Sequence, residues 1–110
     1  AEFQGQLLSQ DDLTTFFKQY VPKAAAGDDK VFKYVGDSQQ GEGVEANLDI
    51  QYIMGVAPGI KTEAWQYSGQ AFCSDLKQWT SQIISTTGPP NVFSVSYGWQ
   101  GSMSQIGCSS

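Results

Sequence analysis

The sequence has no histidine. That absence excludes a Ser-His-Asp or Cys-His catalytic site supplied by this chain alone. Charge is also scarce: charged residues make up 15% of the 110, so the surface is expected to be rich in Gln, Ser and Thr. The charge present leans acidic, with a net −5 and a pI of about 4.3, which argues against nucleic acid and anionic membranes as partners. In an acidic compartment part of that negative charge would be titrated away, since carboxylates protonate near pH ~4. No apolar run approaches the roughly 20 residues of a membrane-spanning helix, and no signal peptide is visible, so any targeting segment is expected to have been removed or never present. Cysteine is limited to Cys73 and Cys108. The even count is compatible with one disulfide in a secreted or lumenal protein, stabilising by at most about 3–4 kcal/mol. Two buried free thiols, or a bridge from Cys108 to a second chain, fit as well. No cluster of Cys or carboxylates has metal-ligand spacing, so no metal site is expected here.

What is present reads as one globular unit, 40% hydrophobic, of alternating helices and strands. Ser9 fits an N-cap with Asp12 at the third helical position, and Leu8 and Leu13 fit a hydrophobic staple. Leu13, Phe16, Phe17 and Tyr20 then recur at helical spacing up to Pro22. Residues 31–35 read as a strand and residues 44–54 as a helix closed by Gly55 and Pro58. Residues 60–67 read as a strand, 72–85 as a helix and 92–96 as a third strand before Gly98. Such alternation favours an α/β fold with a parallel sheet.

The helix over residues 44–54 carries the chemistry. Asn47 and Gln51 take one side of the wheel, the expected solvent face. Glu45 and Asp49, four residues apart, share another side among Ala46, Leu48, Ile50, Tyr52, Ile53 and Met54. Neighbouring like charges in an apolar arc are costly unless they are paired or share a proton, so a chain that keeps them there is expected to use them.

The run Glu45-Ala46-Asn47-Leu48-Asp49-Ile50-Gln51-Tyr52-Ile53-Met54 resembles the active-site helix of the sedolisin, or serine-carboxyl peptidase, family. The resemblance continues through Gly55-Val56-Ala57-Pro58-Gly59 and through Val92-Phe93-Ser94-Val95-Ser96-Tyr97-Gly98. Ala1-Glu2-Phe3 followed by Ser9-Gln10-Asp11-Asp12-Leu13 matches as well. It implies a subtilisin-like parallel sheet flanked by helices, of which residues 1–110 form the N-terminal portion of a single catalytic domain completed by a missing or second chain. By the same resemblance Glu45 is the general base of a Ser-Glu-Asp triad and Asp49 orients it. Glu2 and Tyr97 belong to the supporting network, and Ser96, Tyr97 and Gly98 present backbone to an extended peptide. A carboxylate base suits acid pH, where an imidazole would be protonated. The nucleophilic Ser would come from the second chain of the same precursor and calcium would sit in the remainder of the domain. The substrate would be a peptide or unfolded protein, and the location lysosomal or secreted. A non-catalytic peptide-binding module or an inert proteolytic fragment on the same scaffold are the alternatives.

Overall fold

A computed structural model describes residues 1–69 and 71–108. In chain order come α1 (Gln10–Tyr20), β1 (Lys33–Gly36), α2 (Val44–Val56), β2 (Glu63–Gln66), α3 (Phe72–Ser85) and a 3₁₀ turn (Met103–Ile106). β1 and β2 pair in parallel, Lys33 opposite Glu63 and Gly36 opposite Gln66, so α2 is the crossover that joins them. Glu2 adds an isolated parallel bridge to Gln66. Its N–H donates to Trp65 O and its carbonyl accepts from Tyr67 N–H, while Gln66 O turns the other way to Asp37 N–H. β2 is therefore flanked on both edges, by β1 and by the segment around Glu2.

Alternation along β2 divides the core into two. Ala64 faces a cluster with Leu8, Leu13 and Phe17 of the α1 region and Ala46, Ile50 and Met54 of α2. Trp65 and Tyr67 face the other way, onto Phe3, Phe72, Cys73 and Ile106. A large apolar side chain buried to this degree contributes about 1.5–3 kcal/mol. Phe3 centres the second cluster, its ring 5.6 Å from Phe72 and 5.8 Å from Tyr67 and Trp79. Cys73 and Cys108 are disulfide-bonded to each other, with Cα atoms 5.3 Å apart, which ties α3 to the chain beyond the 3₁₀ turn.

Several expectations shift on contact with the structure. Ser9 caps α1 by accepting Asp12 N–H at 3.1 Å, and Leu8 and Leu13 are buried together. The reciprocal bond of a capping box is made elsewhere: Ser9 N–H donates to Asn47 Oδ1 at 2.8 Å. Gly55 does not end α2 but lies inside it, where an added Cβ would come within 3.0 Å of the Phe16 ring. It is a contact point between α1 and α2. The strand expected at residues 92–96 does not form. Its backbone has no ladder partner among the described residues, its one long-range bond being from the Ala1 ammonium to Ser94 O at 2.8 Å. A β-rich sequence without a neighbouring strand edge stays irregular. What holds this segment is aromatic contact, Phe93 on Trp65 and Trp79 and Tyr97 on Phe3.

Candidate active site

α2 begins at Gly43, which has no side chain with which to cap it. Its first turn is anchored from outside. Gln6 Oε1 accepts Ala46 N–H at 3.2 Å, and Leu7 O and Leu8 O accept the N–H groups of Gly43 and Gly41 at 3.0 Å each. With the bond from Ser9 to Asn47, four hydrogen bonds clasp residues 6–9 to the start of α2. The clasp explains two glycines. A Cβ on Gly41 would lie 2.7 Å from Leu7 Cβ, and one on Gly43 would strike Gln6 Oε1. Asn47 is consequently half-buried and bonded rather than on the solvent face expected from the wheel.

The buried stripe of α2 is Ala46, Ile50 and Met54. Glu45 and Asp49 are half-buried at its margin, not sunk in an apolar face, while Leu48 and Tyr52 are 51% and 58% exposed. The wheel had little direction to offer because apolar residues occur on nearly every side of this helix.

The sheet brings the third carboxyl. Glu2 is held by its bridge to β2 and is only 7% exposed. Its carboxyl lies within hydrogen-bonding reach of Asp49, and Oε2 accepts the Tyr97 hydroxyl at 3.1 Å. Burial, then the bond to Asp49 and its negative charge, push the Glu2 carboxyl up to about 7; the neighbouring ammonium and the Tyr97 hydroxyl pull the other way without offsetting them. Below that pH Glu2 is protonated and has an O–H to offer toward Asp49. Burial, followed by the Glu2 charge and hydrogen bond, raises the Tyr97 hydroxyl, so it remains a donor; the Glu45 charge acts on it too. Tyr97 is aimed by Phe3, whose ring it meets edge-on at 5.4 Å.

Glu2 thus lies between Tyr97 and Asp49, and Glu45, one turn before Asp49 on α2, is near enough for its charge to act on the Tyr97 hydroxyl. Ser96 and Gly98 flank Tyr97 on the irregular segment, both exposed, and Gly98 has open space where a Cβ would be. They make no hydrogen bond to the carboxyl cluster. Among the described residues no group of three or more Cys or carboxylate side chains is arranged to hold a metal ion.

Three supporting residues had no signal in the sequence. Gln6 is one. Gln66, fully buried, accepts Leu8 N–H at 2.9 Å and donates to Asp37 O at 2.7 Å. Asp75, 1% exposed, accepts Gly69 N–H at 2.8 Å and Gln4 N–H at 3.2 Å. The latter bond holds Gln4 in a left-handed conformation, φ 58°, in the turn just after Glu2 and Phe3. Each partner is distant in sequence, and only a strand of alternating burial could have hinted at Gln66.

No protein-family model matches the chain, and no solved structure matches it either. Curated proteins do. The chain is 30% identical over 100 residues to tripeptidyl-peptidase 1 of the rat, Rattus norvegicus. It is 31% identical over 102 residues to that of Homo sapiens and 30% over 102 residues to that of Canis lupus familiaris. The matches cover 89% of this chain but 18% of those proteins, so the chain spans less than a fifth of the relatives' length. No helix among the described residues is long and apolar enough to cross a membrane. The chain is therefore a peptidase-related region, similar over most of its length to one stretch of tripeptidyl-peptidase 1.

Proposed function

We propose that these 110 residues are the N-terminal portion of a subtilisin-like, sedolisin-type catalytic domain that hydrolyses peptide bonds at acid pH. The observation that carries this reading is the carboxyl cluster: buried Glu2 accepts the Tyr97 hydroxyl and lies within hydrogen-bonding reach of Asp49, which is one helical turn from Glu45. Glu45 is the general base. It takes the proton from a Ser hydroxyl in the remainder of the domain as that oxygen attacks the substrate carbonyl, and returns it to the leaving amine as the acyl-enzyme forms. Asp49 holds Glu45 and shares its proton. Protonated Glu2 keeps Asp49 oriented by donating to it, and Tyr97 fixes Glu2. A close carboxyl set titrates as a unit, which suits a base that works where an imidazole would be charged.

The substrate is a peptide or unfolded protein laid along Ser96, Tyr97 and Gly98, and the location is a lysosomal or secreted, acidic one. The family's calcium would belong to the remainder of the domain, and no step is routed through it.

The test is substitution in the full-length protein. Glu45→Gln is expected to lower kcat by about 10²–10⁴. Asp49→Asn should also cost heavily, and the double variant should be little worse than Glu45→Gln, because such residues act as one unit. Asn47 is unsuitable as a control, since it holds Ser9 N–H. Gln51, on the same helix with no hydrogen bond to the cluster, serves instead, and Gln51→Ala should stay within about a few-fold of wild type. Near wild-type activity in folded Glu45→Gln sinks the assignment.

A further inference from the structure

We infer that Gln6 is a positioning residue for Glu45, acting as the N-cap that α2 lacks. The inference rests on the reading of Glu45 as the general base. A helix leaves its first N–H groups without intrahelical partners, and a side-chain oxygen at the N-cap normally accepts one of them. α2 has Gly43 at that place, so its own N-cap supplies none. Gln6 Oε1, 40 residues away in sequence, accepts the Ala46 N–H at 3.2 Å. It does so from the space an N-cap side chain would enter, because a Cβ built on Gly43 would collide with that same oxygen. The glycine and the glutamine are two halves of one device.

The device bears on the site through the chain on both sides of it. Glu45 is the second residue of α2 and directly precedes Ala46. Gln6 lies four residues after Glu2, and its own N–H donates to Phe3 O at 3.2 Å, closing the turn that follows Glu2. The amide of Gln6 therefore joins the backbone that carries Glu2 to the backbone that carries Glu45. Leu7, Leu8 and Ser9 repeat the link further along, so removing Gln6 should leave the clasp closed but let the first turn of α2 fray where Glu45 sits.

Two substitutions of similar size separate the acceptor from the shape, tested in the full-length protein. Gln6→Met keeps the length and loses the oxygen. Gln6→Glu keeps an oxygen acceptor, favoured at a helix N-terminus. Gln6→Met should lower kcat by about 10- to 10²-fold, the scale of a small misplacement of a reacting group. KM should move by less than about 2-fold, because the loss falls on the transition state rather than on substrate binding. Gln6→Glu should keep kcat within about 3-fold of wild type while hydrogen exchange at the start of α2 stays slow. Exchange there should quicken in Gln6→Met.

Full kcat in Gln6→Met, a loss in Gln6→Glu as large as in Gln6→Met, or a change confined to KM overturns the inference. If Gln6→Met does not accumulate as folded protein, Gln6→Glu decides alone: retained kcat with slow exchange supports the cap, and a tenfold loss overturns it. Failure of the underlying reading looks different. Then Glu45→Gln is active, and the exchange contrast between the two Gln6 variants persists without any contrast in kcat.

Discussion

Replacing Glu2 by Gln separates the protonation of the carboxyl cluster from its packing. Glu2 is 7% exposed, and burial, followed by the bond and charge of Asp49, raises its carboxyl from 4.5 to about 7. A pKa higher in the folded than in the unfolded state means that the folded state holds the proton more tightly. Glu2 therefore contributes stability that is complete below about pH 4.5 and lost as the pH rises through about 7. The whole shift corresponds to about 3 kcal/mol at most. Water reaching the pair past half-exposed Asp49 and Glu45 screens it to on the order of 1–2 kcal/mol. Gln has the same shape and still donates to Asp49, but it never ionises. At about pH 4 the variant should melt with wild type, and at about pH 8 it should melt higher by a few degrees, as 1 kcal/mol is worth about 2–4 °C in a domain of moderate size. The assay is a pair of thermal melts of the full-length protein at each pH. An offset between variant and wild type that is equal at both pH values refutes the reasoning.

Intact mass of the oxidised chain should rise by two hydrogen atoms on reduction, with no second chain released, because Cys73 and Cys108 bond to each other; the Cys73→Ser and Cys108→Ser double variant should be less stable by about 2–4 kcal/mol in denaturant. Asp75→Ala leaves the Gly69 and Gln4 N–H groups without their acceptor, and should cost at least about 2 kcal/mol by the same measurement. The exposed apolar side chains of α2, Leu48 and Tyr52 among them, should make the isolated chain bind apolar dyes and associate; Leu48→Lys with Tyr52→Lys should reduce dye binding, and unchanged binding would count against this face as the cause. The rate of peptide hydrolysis by the full-length protein should peak below about pH 7, and a maximum above it contradicts a carboxylate base.

Much of the local structure was legible in the residues. α1 starts after Ser9, as its capping residue indicates, and α2 starts at Val44 and α3 runs from Phe72 to Ser85, as apolar spacing indicates. The strands shrank to residues 33–36 and 63–66, since a strand lasts only as long as its partner. For residues 92–96 no partner is in place among the described residues and no strand forms. Glu45 and Asp49 stood out as two carboxylates one turn apart in an apolar helix, and the family resemblance of the run around them suggested their roles.

What sequence by itself determined, then, were features set by neighbours in the chain: helix starts, the Ser9 cap, the Glu45–Asp49 spacing and the acidic, histidine-free chemistry. Tertiary structure decided everything that depends on residues far apart. It set Glu2 against Asp49 by pairing Glu2 with β2, and it chose Ala46, Ile50 and Met54 as the buried side of a helix apolar on nearly every side. It took Asn47 from the solvent to Ser9 and gave α2 a cap from Gln6. The physical reason is one of range. Propensity and capping act over a single turn, whereas a hydrogen bond or a pKa depends on whatever group the fold brings to within a few ångströms, wherever it lies in the chain.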